Sequence, residues 1–418
     1  MIKKIIFDKK NEKKVFKYLK QLNSQGKGPE AIVRRIIEKV RKNGDKALKE
    51  LTYKLDGVNV RSLRVSKEEI KNSYSKIDKK IMPHLKKAAN NIKKFHMMQK
   101  ENVKGYIYNN TGYRVKQQYI PVDSAGLYIP GGQAPLFSTV LMAGIPALIA
   151  GVKKIVIVSP PRYNKDVNPY ILAAADVIGI REIYRVGGSQ AIAALACGTE
   201  TIPAVDKVAG PGNIYSTTAK KLLFGDIGVD SINGPSEITI VADKSANPDY
   251  IVYDLLAQAE HVNGHSVFIT PSVSLERKVE KGLKNKGRKM KINIAMIRVK
   301  NINEAVKIVN YKGPEHLSLM TEKNNTLIKQ ISNAPAIFSG NNTPVAFGDY
   351  MAGPNHILPT NGTCRFFSGL SVLDFLKHRH VIECGKKAME KFGPAAEYLA
   401  ATETLKNHEL SIKARRIK

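Results

Sequence analysis

Cysteine is scarce in this chain of 418 residues: Cys197, Cys364 and Cys384, with no CxxC spacing. Three scattered thiols exclude a disulfide framework and suit a reducing compartment. Also missing is any run of about eighteen apolar residues, the length a membrane-crossing helix needs. The longest apolar stretch, VLMAGIPALIAGV at 140–152, is shorter and contains a proline. The first residues, MIKKIIFDKKNEKK, hold no apolar core and no small-residue cleavage site, so we expect no secretory signal and a cytoplasmic protein. Acidic residues are few, 36 against 67 lysines and arginines, for a formal net charge of +31. The imbalance is steepest in the first hundred residues, with 29 basic against 10 acidic. A field of this sign raises a nucleic-acid or membrane surface as one reading. The lysines, however, are spread singly and in pairs along helical stretches, without aromatics spaced to stack bases. We therefore expect a solvated lysine-rich surface, with no nucleic-acid and no membrane partner. The dinucleotide fingerprint GxGxxG is absent as well.

What is present points to a large soluble core. The composition, 43% hydrophobic and 25% charged, is that of a globular protein with room for two or more domains. Residues 1 to about 100 read as helical, because apolar residues return every three or four positions in KKVFKYLKQL and in PEAIVRRIIEKVRKNGDKALKELTYKLDG. Strands broken by prolines fit VKQQYIPVDSAGLYIPGG. From residue 151 strand and helix alternate through short loops: GVKKIVIVSPP, PYILAAADVIGI, EIYRVG, GSQAIAALACGTE, DKVAGPGN, STTAKKLLFG and SEITIVAD. The alternation resumes with HSVFIT, INIAMIRV, INEAVKIVNY and AIFSG. Two α/β units in series, each with a parallel sheet, follow from this pattern. DFLKHRHVIECGKKAMEKF and the charged tail read as helices again.

Several short segments carry chemistry. IPGGQAP, VGGSQA and AGPGNIY each follow a strand. Glycines let a backbone approach a phosphate, and a helix N-terminus favours negative charge. Each is a tight turn on its own; three at strand C-termini in one α/β unit suggest a ligand crevice. In DLLAQAEH, Gln258 and His261 stand three apart and share a helical face, while Glu260 points elsewhere. They are either two satisfied polar side chains or two ligands of one metal. GPEHL sets Glu315 beside His316, a carboxylate and an imidazole suited to acid–base work, although such a pair also occurs in caps and turns. FGDYMAGPNHILPT places Asp349 and His356 in a shaped loop, as a metal ligand and a substrate contact or as an Asx turn and a surface histidine. Read locally, His408 is a solvated helix residue and Cys197 a small thiol in an apolar helix.

Taken together, GLYIPGG, GGSQAIAALACGTETIP, VAGPGNIY, GPSEI, DLLAQAEH, PEHL and GDYMAGPNHILPT resemble the histidinol dehydrogenase family, in its order and spacing. The resemblance runs from LDGV near residue 55 to His408. It implies two incomplete Rossmann-like α/β domains with parallel sheets, plus small helical N- and C-terminal extensions that form an intertwined dimer. The implied boundaries are a helical arm at 1–25, a first α/β domain from 26–127 and 236–370, a second at 128–235 on the NAD side, and a helical extension at 371–418. It implies one zinc per subunit, held by Gln258, His261, Asp349 and His408, although nitrogen and oxygen ligands also admit manganese or cobalt. The resemblance implies that zinc orients the amino alcohol rather than activating hydroxide. His316 looks like the base for the alcohol proton, and Glu315 like the base for water attacking the aldehyde. It also implies that two NAD+ are consumed per L-histidinol. Tyr128, Gln190 and Asn213 match cofactor contacts. Ser236, His356 and Glu403 match substrate contacts, beside Gln258, His261, His316, Asp349 and His408. Glu403 and His408 are implied to reach the partner subunit's site.

The sequence departs from the family pattern at Asn233 before GPSE, at Gly313 before PEH, and in HVNGHS after AQAE. None removes an implied ligand or base. A relative that oxidises another polar alcohol with NAD is the alternative reading, and retention of His356, Glu403 and His408 speaks against it.

Overall fold

The computed structural model describes residues 2–23, 28–131, 135–261, 263–288, 290 and 292–416. The Gly132–Ala134 part of the first glycine loop therefore lies outside the described residues. The strands are β1 (Ile2–Ile6), β2 (Tyr106–Asn110), β3 (Tyr113–Pro121), β4 (Ser124–Tyr128), β5 (Lys154–Ser159), β6 (Ile183–Arg185) and β7 (Lys207–Ala209). They continue as β8 (Gly228–Val229), β9 (Glu237–Ala242), β10 (His265–Thr270), β11 (Ile294–Arg298), β12 (His316–Met320), β13 (Ala336–Ser339) and β14 (Leu376–Cys384). KIVIVS, EITIVA and HSVFIT are nearly continuous β-branched or apolar runs, buried along almost their whole length. That is how strands covered on both faces read.

Two all-parallel sheets carry the fold. One runs in the order β6-β5-β4-β7-β8, the other β1-β11-β10-β9-β12-β13. Counted within each unit from β4 and from β9, both follow the doubly wound order 3-2-1-4-5, with β1 added at one edge. In that order a crevice opens where the winding reverses: between β4 and β7 in the first unit. The segment from β8 to β9 then leads from the C-terminal edge of the first sheet to the N-terminal edge of the second. Hydrogen bonds anchor it on both sides. The Thr217 hydroxyl donates to the Asn233 carbonyl (2.8 Å), and the Asn233 amide donates to the Leu358 carbonyl (3.0 Å).

The structure corrects the boundaries expected from sequence. Residues 2–6 are not part of a helical arm: they pair with β11 as an edge strand. IKKII is too short to show a period, and its partner lies almost three hundred residues away. The helix Glu12–Leu22 is helical as expected but docks on the body, with Phe16 stacked on Tyr311 at 3.9 Å. The helix Glu30–Asp56 belongs with the five-stranded unit, not with the later one. Its stripe of Val33, Ile37, Val40, Leu48 and Leu51 joins the core formed by Val156, Val158 and the helix Gly188–Cys197. β4 begins at Ser124, so that unit starts before residue 128. Residues 376–384 form a strand, paired antiparallel with β3, which also pairs with β2. LKHRHVIEC is largely exposed on both faces, so no apolar period marked it as a strand.

This three-stranded sheet and the helices Lys386–Thr402 and Lys406–Lys413 form a projection. The two helices pack chiefly on each other, and Phe392 meets Tyr113 edge-on at 5.6 Å. Tyr106, Ile107, Tyr108, Ile382, Tyr398 and Leu399 are exposed along it. No helix among the described residues is long and apolar enough to cross a membrane.

Candidate active site

The helix Ile302–Lys312 ends at Gly313, whose backbone is left-handed (φ 61°). An added Cβ there would lie 2.8 Å from the Cys364 sulfur. The turn delivers Glu315 and His316 to the start of β12, both buried. The Glu237 N–H, opening β9, donates to Glu315 Oε2 at 2.8 Å. The Glu237 carbonyl lies 3.1 Å from His316 Nδ1 and accepts its hydrogen. A neutral His316 then carries its proton on Nδ1 and its lone pair on Nε2. Nε2 is buried without a hydrogen-bond partner among the described residues, 3.9 Å from Asp349 Oδ1. Burial pulls the His316 pKa down, but the carboxylates of Glu315, 3.4 Å from Nδ1, and Asp349 outweigh it and lift it to about 9.

Asp349 lies in an irregular turn that follows the short helix Val345–Phe347. His356 Nδ1 is 3.0 Å from the Asp349 carbonyl, which closes the loop on itself. Burial lowers the His356 pKa, Asp349 opposes this, and the charges of His316 and His261 add to the lowering. His316, Asp349 and His356 thus line one cavity of about 400 Å³, with Phe338, Phe347 and Asn355 among its walls.

Neither Gln258 nor His261 is among the cavity's lining residues, although His261 lies near enough for its charge to act on His356. The helix Pro248–Ala259 stops before His261, a difference from the expected shared helical face. The chain turns back here, with Asn263 left-handed (φ 60°) and the Gly264 N–H donating to the His261 carbonyl. The last turn still holds, because the His261 N–H donates to the Gln258 carbonyl at 3.3 Å. Gln258 is buried and its Nε2 has no hydrogen-bond partner among the described residues, whereas His261 and Glu260 are exposed. Ser236 is half-buried immediately before β9. Glu403 and His408 lie exposed on the helical projection, and the structure does not bring them to His316 within one chain. Among the described residues no three His, Cys, Asp or Glu side chains group closely enough to hold a metal. Gln258, His261 and Asp349 carry oxygen and nitrogen atoms of the kinds zinc takes, and a four-ligand shell would need a further donor.

The glycine loops meet at Tyr128, the last residue of β4. Its hydroxyl accepts from the Gly188 N–H at 3.0 Å. An added Cβ at Gly210 would lie 2.2 Å from the Tyr128 carbonyl oxygen, and one at Gly212 would lie 3.3 Å from its ring. Gln190 is buried beside Gly188, its Oε1 without a hydrogen-bond partner among the described residues. Asn213 caps the helix Ile214–Leu223, accepting from the N–H groups of Tyr215 (2.9 Å) and Ser216 (3.1 Å). All three lie at the C-terminal edge of the five-stranded sheet, near the reversal between β4 and β7, where dinucleotides bind in doubly wound sheets.

Sequence reasoning missed Glu237, Lys312 and His265, which are buried behind Glu315 and His316. One signal was available. Ala305, Ile308, Val309 and Lys312 fall at i, i+3, i+4 and i+7, which puts a lysine on an apolar stripe.

Comparison with known proteins adds the following. The histidinol dehydrogenase family model matches residues 20–416. A histidinol dehydrogenase from Synechococcus sp. is 44% identical over 400 residues, covering 92% of this chain and 92% of its own. One from Methanococcus maripaludis is 42% identical over 427 residues and covers 99% of each chain. The crystal structure of histidinol dehydrogenase from Elizabethkingia anophelis superposes with a TM-score of 0.91 at 34% identity, covering 99% of this chain and 97% of that one.

Proposed function

We propose, from the premise that this chain belongs to the histidinol dehydrogenase family, that it oxidises L-histidinol through the aldehyde to L-histidine, the last step of histidine biosynthesis. Two NAD+ accept the two hydrides. One observation supports the assignment of the first base. His316 Nδ1 is committed to the Glu237 carbonyl, and Nε2 is left buried beside the cavity with no hydrogen-bond partner among the described residues. His316 Nε2 takes the alcohol proton as hydride leaves the carbinol carbon. Glu315 takes a proton from the water that attacks the aldehyde, and a second hydride follows. Tyr128, Gln190 and Asn213 line the nicotinamide dinucleotide side.

Gln258, His261 and Asp349 are the donors this chain offers to zinc, and His408 of the partner subunit is the fourth. If bound, zinc would supply positive charge that helps hold the substrate and offsets Asp349. Glu315 and Asp349 are the two charges that hold His316 protonated, so offsetting Asp349 would favour the neutral imidazole that a base requires. Ser236, His356 and Glu403 of the partner subunit complete the substrate pocket. The exposed apolar residues of the projection favour a homodimer that shares its active sites.

Two assays test this reading. Histidinol-dependent NADH formation is expected to vanish on chelation and return with zinc. Mixing His408→Ala and Glu315→Gln, each impaired in the complete oxidation to histidine, with subunit exchange, is expected to restore histidine formation, because one hybrid site then holds a native set from both chains. Hybrids that stay inactive contradict the shared site.

A further inference from the structure

We infer that Glu237, with Lys312 and His265 behind it, is a positioning residue that sets both members of the Glu315–His316 pair at once. The inference rests on reading that pair as the two bases. A single residue, Glu237, reaches both: its N–H donates to Glu315 Oε2 at 2.8 Å, and its carbonyl accepts from His316 Nδ1 at 3.1 Å. A shift of the Glu237 backbone therefore moves the water-activating group and the alcohol base together.

The side chain of Glu237 fixes that backbone from within. Glu237 and Lys312 are fully buried, and their charged ends are in direct contact. His265 Nε2 lies 2.9 Å from Glu237 Oε2 and 3.2 Å from Lys312 Nζ. The other Glu237 oxygen accepts from the Asn361 N–H at 3.0 Å. Lys312 Nζ also donates to Asn23 Oδ1 at 3.0 Å, while the Asn23 amide donates to the Lys312 carbonyl at 2.9 Å. Lys312, the residue just before Gly313, is therefore pinned on one side of the turn, and Glu237 holds Glu315 and His316 on the other. Burial opposes ionisation of Glu237, yet Lys312 and His265 bring its pKa down to about 2, so the carboxylate stays charged. A buried ion pair of this kind adds little stability over apolar side chains of similar volume. What it adds here is geometry, because a displacement of about 1 Å at a reacting group costs roughly a hundredfold in rate.

The test is Glu237→Gln/Lys312→Met, which removes both charges and strands neither, assayed as the zinc-loaded protein. NADH formation is measured from histidinol and separately from histidinaldehyde. With far-UV circular dichroism unchanged, KM is expected to stay within about threefold and kcat to fall at least about tenfold in both half-reactions, by similar factors. Glu315→Gln and His316→Asn run alongside. If those two keep parental rates, the base assignment fails and this inference with it. If they are slowed while the folded double variant keeps its parental kcat, the positioning role alone is overturned. Slowing of only one half-reaction by the double variant overturns the claim that Glu237 holds both bases. Should the double variant not fold, His265→Asn removes one brace and keeps the ion pair. It is expected to slow both half-reactions about threefold, and parental rates there overturn the inference.

Discussion

Lys220→Met is the most informative single perturbation away from the proposed bases. The Lys220 ammonium is buried between the Gly210 carbonyl (2.5 Å) and Asp230 Oδ1 (2.7 Å), with the two side chains 4% and 2% exposed. Asp230 in turn accepts from the Gly210 N–H (2.8 Å) and the Ser231 N–H (2.7 Å). The pair thus braces the turn from Gly210 to Asn213, which faces Tyr128. Methionine fills the volume but leaves a buried carboxylate without its cation. Breaking such a pair from one side costs about 3–5 kcal/mol. Two backbone donors remain on Asp230, so the low end applies, about 3 kcal/mol. Lys220→Met/Asp230→Asn removes the stranded charge and is expected to recover about half of that loss. The chain has no tryptophan, so urea unfolding is best followed by far-UV circular dichroism. Because the braced turn belongs to the proposed dinucleotide side, NAD binding by calorimetry is expected to weaken about tenfold in the single variant. A parental urea midpoint together with a parental NAD Kd would refute the reasoning.

Glu315→Gln is expected to slow histidinaldehyde oxidation by about a hundredfold or more and the alcohol step far less, because only the aldehyde step consumes water. His316→Asn is expected to slow the first oxidation by a similar factor, and equal slowing of both steps by Glu315→Gln counts against its role. Asp254, on the helix that carries Gln258, has its pKa raised by burial from 3.8 to about 6. A raised carboxyl favours the protonated folded state, so this contribution to stability is full below pH 3.8 and lost as pH rises through about 6. Asp254→Asn is therefore expected to gain on the order of 2 kcal/mol near pH 8, after allowance for partial exposure, and almost nothing near pH 4. Equal urea midpoints for variant and parent near pH 8 would count against an uncompensated Asp254.

Much of this was legible in the sequence because local pattern and tertiary role agree. The parallel sheets show as β-branched runs such as KIVIVS. The glycine loops mark the crevice edge, where Gly210 and Gly212 leave room for Tyr128. Where pairing is long-range, the sequence was silent: IKKII becomes a strand only beside β11, and LKHRHVIEC only beside β3. The helix Glu30–Asp56 showed its apolar stripe but not which sheet it covers, since periodicity identifies a face and not its partner. In the candidate site, Glu315, His316, Asp349 and His356 converge as their motifs suggested. Glu403 and His408 do not join them within one chain; both are exposed, on helices that pack chiefly on each other. Glu237 escaped notice because its N–H and carbonyl hold the Glu315–His316 pair, and those groups carry no residue signature.

The most direct test of the central claim is the stoichiometry of the complete reaction. Zinc-loaded protein with excess NAD+ and limiting L-histidinol is expected to form two NADH per histidinol and to release L-histidine. No NADH from histidinol, or one NADH with the aldehyde as final product, would contradict the proposed two-step oxidation.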